Sequence, residues 1–455
     1  MNSLYIIESY IHKHFSNFNF SILTKSEAID LLLTTCSLII EYLSKNILEF
    51  NYTDKLDDLY TNIQELYEIQ LYDLKSIENK NNSTISDINN DITNIIWLSN
   101  KLIYKFIIPP RSYKTSFIRI KHSQHKKRAI EKKINHLKAI PQPAQRTPEW
   151  YKFRQETLTA SNIWKIFGSE ATQNQLIYEK CKPLISSTDI SQNVTQNTTQ
   201  NVNITSPLHW GNKYEPLSIL YYEYTYNTKI DDFGCIPHHS IEHIAASPDG
   251  INCLPESDRY GRMLEIKNIV NRDITGIPKM EYWIQMQIQM ETCNLNECDF
   301  LETRFKEYEN YESFINDPDF IDNYNNHDKY RGIILHFEKD GVPFYEYHQF
   351  GLLLNEIFEW ECEQMEKYSD ITWVKTDYWK LDEVSCVLVL RNKLWFQKVE
   401  PYIKLIWDII SKEKLIGSDH RAPKSRHKKI NNSDNSNNID NQDKYNIKYK
   451  CLIQL

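Results

Sequence analysis

Apolar residues recur at helical intervals through much of the first 110 positions. Leu56, Leu59, Ile63, Leu66 and Ile69 fall three or four apart, the spacing of one helix face. Ser26 is a capping residue type ahead of an expected helix running through Phe50. A third helical stretch, Ile88 to Ile107, runs into Pro109-Pro110, which cannot continue it. A basic segment follows from Arg111 to Lys138, with Lys126-Lys127-Arg128 and Lys132-Lys133 inside it. Two readings stand open for this segment: a phosphate-contacting surface, or a solvated helix face.

Pro141 and Pro143 mark a change of pattern. From 141 to 350 helical periods surround short alternating runs, which predicts a mixed α/β domain. Within it, 188–206 is rich in Asn, Gln, Thr and Ser, lacks apolar periodicity, and reads as a flexible insertion. Its Asn-x-Ser/Thr triplets at Asn193, Asn197 and Asn203 matter only in a secreted protein. Helical patterning returns at Leu352 to Glu366 and at Tyr402 to Leu415. The expected organisation is therefore a helical region 1–140 carrying the basic segment 111–138, an α/β core 141–350, a helical extension 351–418, and a basic, Asn-rich, disordered tail 419–455.

Composition changes the picture little. A chain of 455 residues exceeds what one core usually fills, and 41% hydrophobic residues suffice for real cores. No run reaches the 18 or so apolar residues of a membrane span. Leu31 to Leu43 comes nearest and is broken by Thr34, Thr35, Cys36 and Ser37. Glu8 interrupts the apolar start, so no signal peptide is expected and the chain reads as soluble and intracellular. The net charge of −8 gives no support for nucleic-acid binding by itself, because an acidic metal cluster and a local basic groove cancel in the sum. Nine cysteines include no Cys-x-x-Cys pair, so no iron–sulfur cluster is expected.

Candidate chemistry lies in the middle of the chain. In Met263-Leu-Glu-Ile-Lys-Asn268 a strand would place Glu265 and Lys267 on one face and Leu264 and Ile266 on the other. Upstream, Ile244 to Ser247 reads as a second strand ending in Pro248-Asp249-Gly250, a turn that can present Asp249. A hairpin joining the two would gather Asp249, Glu265 and Lys267. Glu-x-Lys alone means little, since Glu78/Lys80 and Glu131/Lys133 repeat it in surface-helix settings. The apolar strand context and the Ser-Pro-Asp-Gly run distinguish the third copy. Carboxylates beside a lysine suit metal-assisted phosphodiester hydrolysis. Lys213–Tyr224 reads as a helix capped by Gly211 or Asn212, with Glu215 in its first turn. On the helix Glu281 to Glu291, Gln285 and Gln289 share a face, with Tyr282 adjacent.

Five short motifs occur in a fixed order: Arg154 with Thr159-Ala160-Ser161, Trp210-Gly211-x-x-x-Glu215, Ser247-Pro-Asp-Gly250, Glu265-Ile-Lys267 and Tyr282-Trp-Ile-Gln285-Met-Gln287. The ordered set resembles lambda exonuclease and the YqaJ-type viral recombinases, over roughly the middle of the chain and neither end. The resemblance implies a restriction-endonuclease-like (PD-(D/E)XK) core, a central mixed sheet flanked by helices. It implies a 5′→3′ exonuclease on linear double-stranded DNA that leaves 3′ overhangs for strand-annealing recombination. Glu215, Asp249, Glu265 and the Ile266 carbonyl would hold Mg²⁺, with Mn²⁺ able to substitute. Lys267 would orient and help deprotonate the attacking water. Gln285 would reach the lysine or that water, with Gln287 pointing elsewhere. Arg154 and Ser161 would bind the 5′-terminal phosphate, an Arg fork plus a hydroxyl being a good receptor for it. The expected partners are DNA ends, an annealing protein and further copies of the chain in a ring. A viral source fits the low-glycine, Asn-rich composition, and the host cytoplasm is then the expected location. The rival readings are a structure-specific or restriction-type endonuclease of the same superfamily, and a DNA-binding scaffold with a vestigial nuclease fold.

Overall fold

The computed structural model describes residues 2–45, 54–78, 83–107, 109, 111–114, 123–145, 147–182, 207–320, 329–339 and 341–422. The polar insertion 188–206 and the tail beyond residue 422 lie outside the described residues.

Helices Asn2–His14, Lys25–Lys45, Asp54–Glu78 and Ser83–Phe106 pack around a shared apolar core that includes Ile7, Ile11, Leu32, Ile39, Ile92 and Ile95. The first of them lies in the region expected to be helical, though no bounds were drawn for it. The second is capped by Thr24, not Ser26: the Thr24 hydroxyl and amide both donate to Glu27 at 2.8 Å. In the third helix the inward stripe is Ile63, Tyr67 and Leu71, while Leu66 and Ile69 of the expected stripe face solvent. Buried Asp91 accepts the amides of Ser21, Ile22 and Leu23 at 2.8–3.1 Å and fixes the loop between the first two long helices.

The second half of the basic segment lies in the helix Gln124–Ala139, docked on the α/β core through Ile134 and Leu137. Lys126 pairs with Glu297 at 3.3 Å, while Lys127 and Lys133 each donate to a core carbonyl at 2.6 Å. Both sequence readings therefore missed part of its role. Several of its lysines serve attachment, and Arg128 and Lys132 remain exposed.

The strands are β1 Tyr113–Lys114, β2 Leu158–Thr159, β3 Ile230–Asp231, β4 Ile236–Pro237, β5 Ile244–Ala246, β6 Gly250–Asn252, β7 Met263–Asn268, β8 Glu297–Glu307, β9 Arg331–Lys339, β10 Val342–Tyr347 and β11 Thr372–Leu390. They form a mixed sheet in the order β10-β9-β11-β8-β7-β6-β3, with β1 also on β11, and a small sheet β2-β5-β4. β7 and β8 run parallel, as the return through the helix Met280–Thr292 requires. That helix covers one face of the sheet with Trp283, Met286 and Met290, and the helix Pro207–Tyr226 covers the other with Tyr214, Leu217 and Tyr221. The expected α/β class and helix-flanked mixed sheet are what the chain forms.

Three expectations need correction. The region 351–418 is not all helix: between the helices Leu354–Lys367 and Lys393–Ile416 it supplies β11, which sits inside the sheet between β8 and β9. Strands β5 and β7 do not form one hairpin. β7 pairs with β6, Gly250 opposite Leu264, while β5 belongs to the small sheet. The helix bearing Glu215 begins at Pro207, so Gly211 and Asn212 lie within it and Glu215 stands in its interior. Proline is favoured in a first turn, which accounts for the earlier start. Among the described residues no helix is long and apolar enough to cross a membrane.

Candidate active site

Asp249 occupies the point where the chain leaves the small sheet at β5 and enters the main sheet at β6. Gly250 is required there, because a Cβ on it would come within 2.2 Å of the Ile230 side chain. The Asp249 carboxylate accepts the Ile266 amide at 2.7 Å, which fixes it against β7. Burial, the Glu265 charge and the nearby Glu215 charge together push the Asp249 carboxyl well above the usual carboxylate range, against the pull of Lys267.

β7 alternates as its sequence implies. Leu264, Ile266 and Asn268 face the helix Pro207–Tyr226, where Asn268 donates to the Gly211 carbonyl at 3.0 Å and accepts from Ser218 at 2.7 Å. Glu265 and Lys267 share the opposite face and are hydrogen-bonded to each other. Fully buried Glu265 also accepts Gln285 on one oxygen and Gln289 on the other, both at 2.7 Å. Burial alone would discharge Lys267, yet the Glu265 and Asp249 carboxylates outweigh it and hold the ammonium above its ordinary range. The Lys267 nitrogen lies 5.0 Å from the Tyr282 ring centre, a cation–π distance.

The expected residues thus fall into one neighbourhood: Asp249, Glu265, Lys267 and Gln285 in direct or one-step contact, with Glu215 near enough for its charge to act on Asp249. Gln287 does point elsewhere. It donates to the Leu390 carbonyl at 3.1 Å and accepts the Asn392 amide at 2.6 Å, which pins the start of the following helix. Gln289 holds Glu265 as closely as Gln285 does, and its four-residue spacing was the available signal. Asn268 gave none, since its partners Gly211, Ser218 and Thr303 come from distant segments.

Among the described residues, no three His, Cys, Asp or Glu side chains stand close enough together to hold a metal ion as they are placed. The donor chemistry still suits a hard divalent ion: Glu215, Asp249 and Glu265 offer oxygen only, and the repulsion that raises the Asp249 carboxyl is relieved by a cation between them.

On the small-sheet side, Arg154 stands in the last turn of the helix Pro148–Gln155 and donates to the Ser161 hydroxyl at 3.0 Å. Ser161 is exposed, in the short helix Ala160–Ile163 that follows β2. The guanidinium lies 4.3 Å from the Trp150 ring centre. The Trp150 indole N–H donates to the Ser247 hydroxyl at 3.3 Å, two residues before Asp249. Trp150 therefore bridges the two sites, while Trp164 packs against the core.

Residues 149–296 match the YqaJ-like viral recombinase domain, the family to which the five motifs pointed. An uncharacterised protein of Acanthamoeba polyphaga mimivirus is 26% identical over 316 residues, covering 61% of this chain and 54% of the relative. The match thus spans about half the length of that relative. The alkaline exonuclease of Laribacter hongkongensis, in two structures, one of them in complex with dAMP, aligns over 60% of this chain and 97% of its own at 16–17% identity, TM-score 0.33.

Proposed function

We propose that this chain is a metal-dependent 5′→3′ exonuclease acting on the ends of linear double-stranded DNA. The observation that carries the reading is the contact path between two sites. Arg154 and Ser161 form a cationic, hydroxyl-bearing receptor, and one side chain, Trp150, separates it from the loop that presents Asp249. A terminal phosphate in that receptor positions the neighbouring backbone beside the acidic cluster.

In this reading Glu215, Asp249, Glu265 and the Ile266 carbonyl hold Mg²⁺ or Mn²⁺. The bound ion supplies charge stabilisation at the phosphate and a more acidic water. Lys267 holds the attacking water and offsets phosphate charge. Gln285 and Gln289 keep Glu265 oriented, so the carboxylate does not rotate away during turnover. By family resemblance the product is a 3′ overhang for an annealing protein, and several copies enclose the duplex.

The test is purified protein on linear, nicked and covalently closed duplex, with Mg²⁺, Mn²⁺, Ca²⁺ or excess chelator. Digestion of the linear form alone is expected, supported by Mg²⁺ or Mn²⁺, with Ca²⁺ supporting binding but little cleavage. Ready cutting of closed circles would move the assignment to an endonuclease. Full activity in chelator would remove the metal.

A further inference from the structure

Lys180, near the end of the helix Glu170–Cys181, is only 5% exposed. Its ammonium group donates to the main-chain carbonyl of Arg154. From the same turn, the Gln155 side chain donates to the carbonyls of Glu179 and Lys182 at 2.7 and 2.8 Å, lacing the two helix ends together. A lysine this buried ordinarily has a carboxylate partner, because the desolvated charge is costly without one.

Among the described residues neither Lys180 nor Arg154 has such an ion pair. The adjacent acid, Glu179, is engaged by Lys165 at 2.7 Å and by Gln175 at 2.8 Å. The groups acting on Lys180 are Arg154 and Lys414, both cationic, against Cys235 and Glu179. Burial, then the Arg154 and Lys414 charges, pull the Lys180 ammonium down to about 7. The charge this corner lacks is negative, and the exposed Ser161 hydroxyl marks where it is reached from solvent.

We propose that Lys180 is a positioning residue of the end receptor, holding Arg154 by its carbonyl and supplying a second positive charge behind a bound terminal phosphate. This rests on reading Arg154 and Ser161 as that receptor. A dianionic phosphate provides the missing counter-charge, so the receptor takes up a proton at Lys180 when the phosphate binds. Affinity for the phosphorylated end then falls as pH rises through the neutral range. A 5′-hydroxyl end brings no dianion and draws no proton.

The experiment measures kcat/KM for the same linear duplex with 5′-phosphate and with 5′-hydroxyl from pH 7 to 9, and takes their ratio. Ionisations at the metal site cancel in the ratio, and the phosphate's own second pKa, about 6, lies below the window. In the wild type the ratio is expected to fall by up to about tenfold per pH unit, the slope of one linked proton. Lys180→Arg, charged throughout, should keep the preference and lose the pH dependence. Lys180→Met should show a low, flat ratio, with the loss in KM for the phosphorylated end. A pH-independent wild-type ratio, or a Lys180→Met profile like the wild type, overturns the Lys180 role while the receptor stands. A wild-type ratio of one at every pH overturns the receptor itself. Should Lys180→Met not fold, the wild-type and Lys180→Arg profiles still decide.

Discussion

Beside β7 the Glu265 and Glu215 charges act on Asp249 and Lys267 offsets part of them, whereas at Arg154 two cations lie close and no carboxylate among the described residues forms an ion pair with them. Both corners lie in the same core, against the same loop 247–249, and each carries an excess of one sign. A chain folding for stability alone would pair such groups with each other, since unpaired buried charge costs several kcal/mol. The placement teaches that each corner is incomplete in a way a ligand of opposite sign would repair: a cation at the acids, a phosphate at the bases. In the proposed reading the DNA end would supply the phosphate, and Glu215, Asp249 and Glu265 would hold the cation.

The largest effect should come from the acidic corner. Glu265→Gln keeps the shape of the side chain and removes its charge, and Lys267→Ala removes the neighbouring ammonium. Each is expected to lower kcat by about 10²–10³ or more, the scale for losing a preorganised charged group, while Glu265→Gln, which relieves the acidic excess, leaves the melting temperature unchanged or higher. Single-turnover cleavage with Mg²⁺ alongside thermal unfolding checks this. Near-normal rates in either variant would leave the acidic excess without a catalytic purpose.

The basic corner should show a smaller effect confined to one kind of end. Arg154→Ala is expected to lower the rate on 5′-phosphorylated duplex about ten- to a hundred-fold, the worth of roughly 1.5–3 kcal/mol in a charge-assisted contact. The rate on 5′-hydroxyl duplex should hold, and metal dependence should be unaltered. An equal loss on both ends would make Arg154 a general DNA contact.

Trp150→Phe asks whether the corners act together. It keeps an aromatic face under Arg154 and deletes the hydrogen bond to Ser247. A neutral hydrogen bond is worth about 0.5–1.5 kcal/mol, so a drop of roughly two- to tenfold in kcat is expected, with the end preference kept. A lost preference with unchanged kcat would show that the indole serves only Arg154. Least of all, Arg128→Ala on the docked basic helix should weaken binding to both kinds of end alike, and more at low salt, because its exposed charge lies outside both corners.

How much of this the sequence disclosed depends on how local each cause is. The sharing of a face by Glu265 and Lys267 follows from strand alternation, and the Gln285/Gln289 pair from helix spacing, so both were readable. Asp249 at a turn was readable too, but not that its two flanking strands belong to different sheets, since that depends on pairing with β2, β4 and β7. β11 carries a period-two signal at Asp377, Trp379 and Leu381, all inward, yet charged Lys380 interrupts it and Lys375 and Glu383 flank it, which masked it as surface. Lys180 left no trace: a lysine on a helix of weak amphipathic pattern reads as solvated until the end of another helix is packed over it.

The length and place of β11 have a consequence for how the protein is made. Its 19 residues pair with β8 along one edge, and with β9 and then β1 along the other. Tyr113 thus waits for Leu388. During synthesis β8 and β9 emerge early and present bare edges until residue 390 has left the ribosome. The sheet therefore closes late, from contacts of large sequence separation, the regime in which folding is slow and exposed edges invite aggregation. A fragment cut at residue 350, where the pattern of the sequence turns helical, would lack the strand that joins both halves of the sheet.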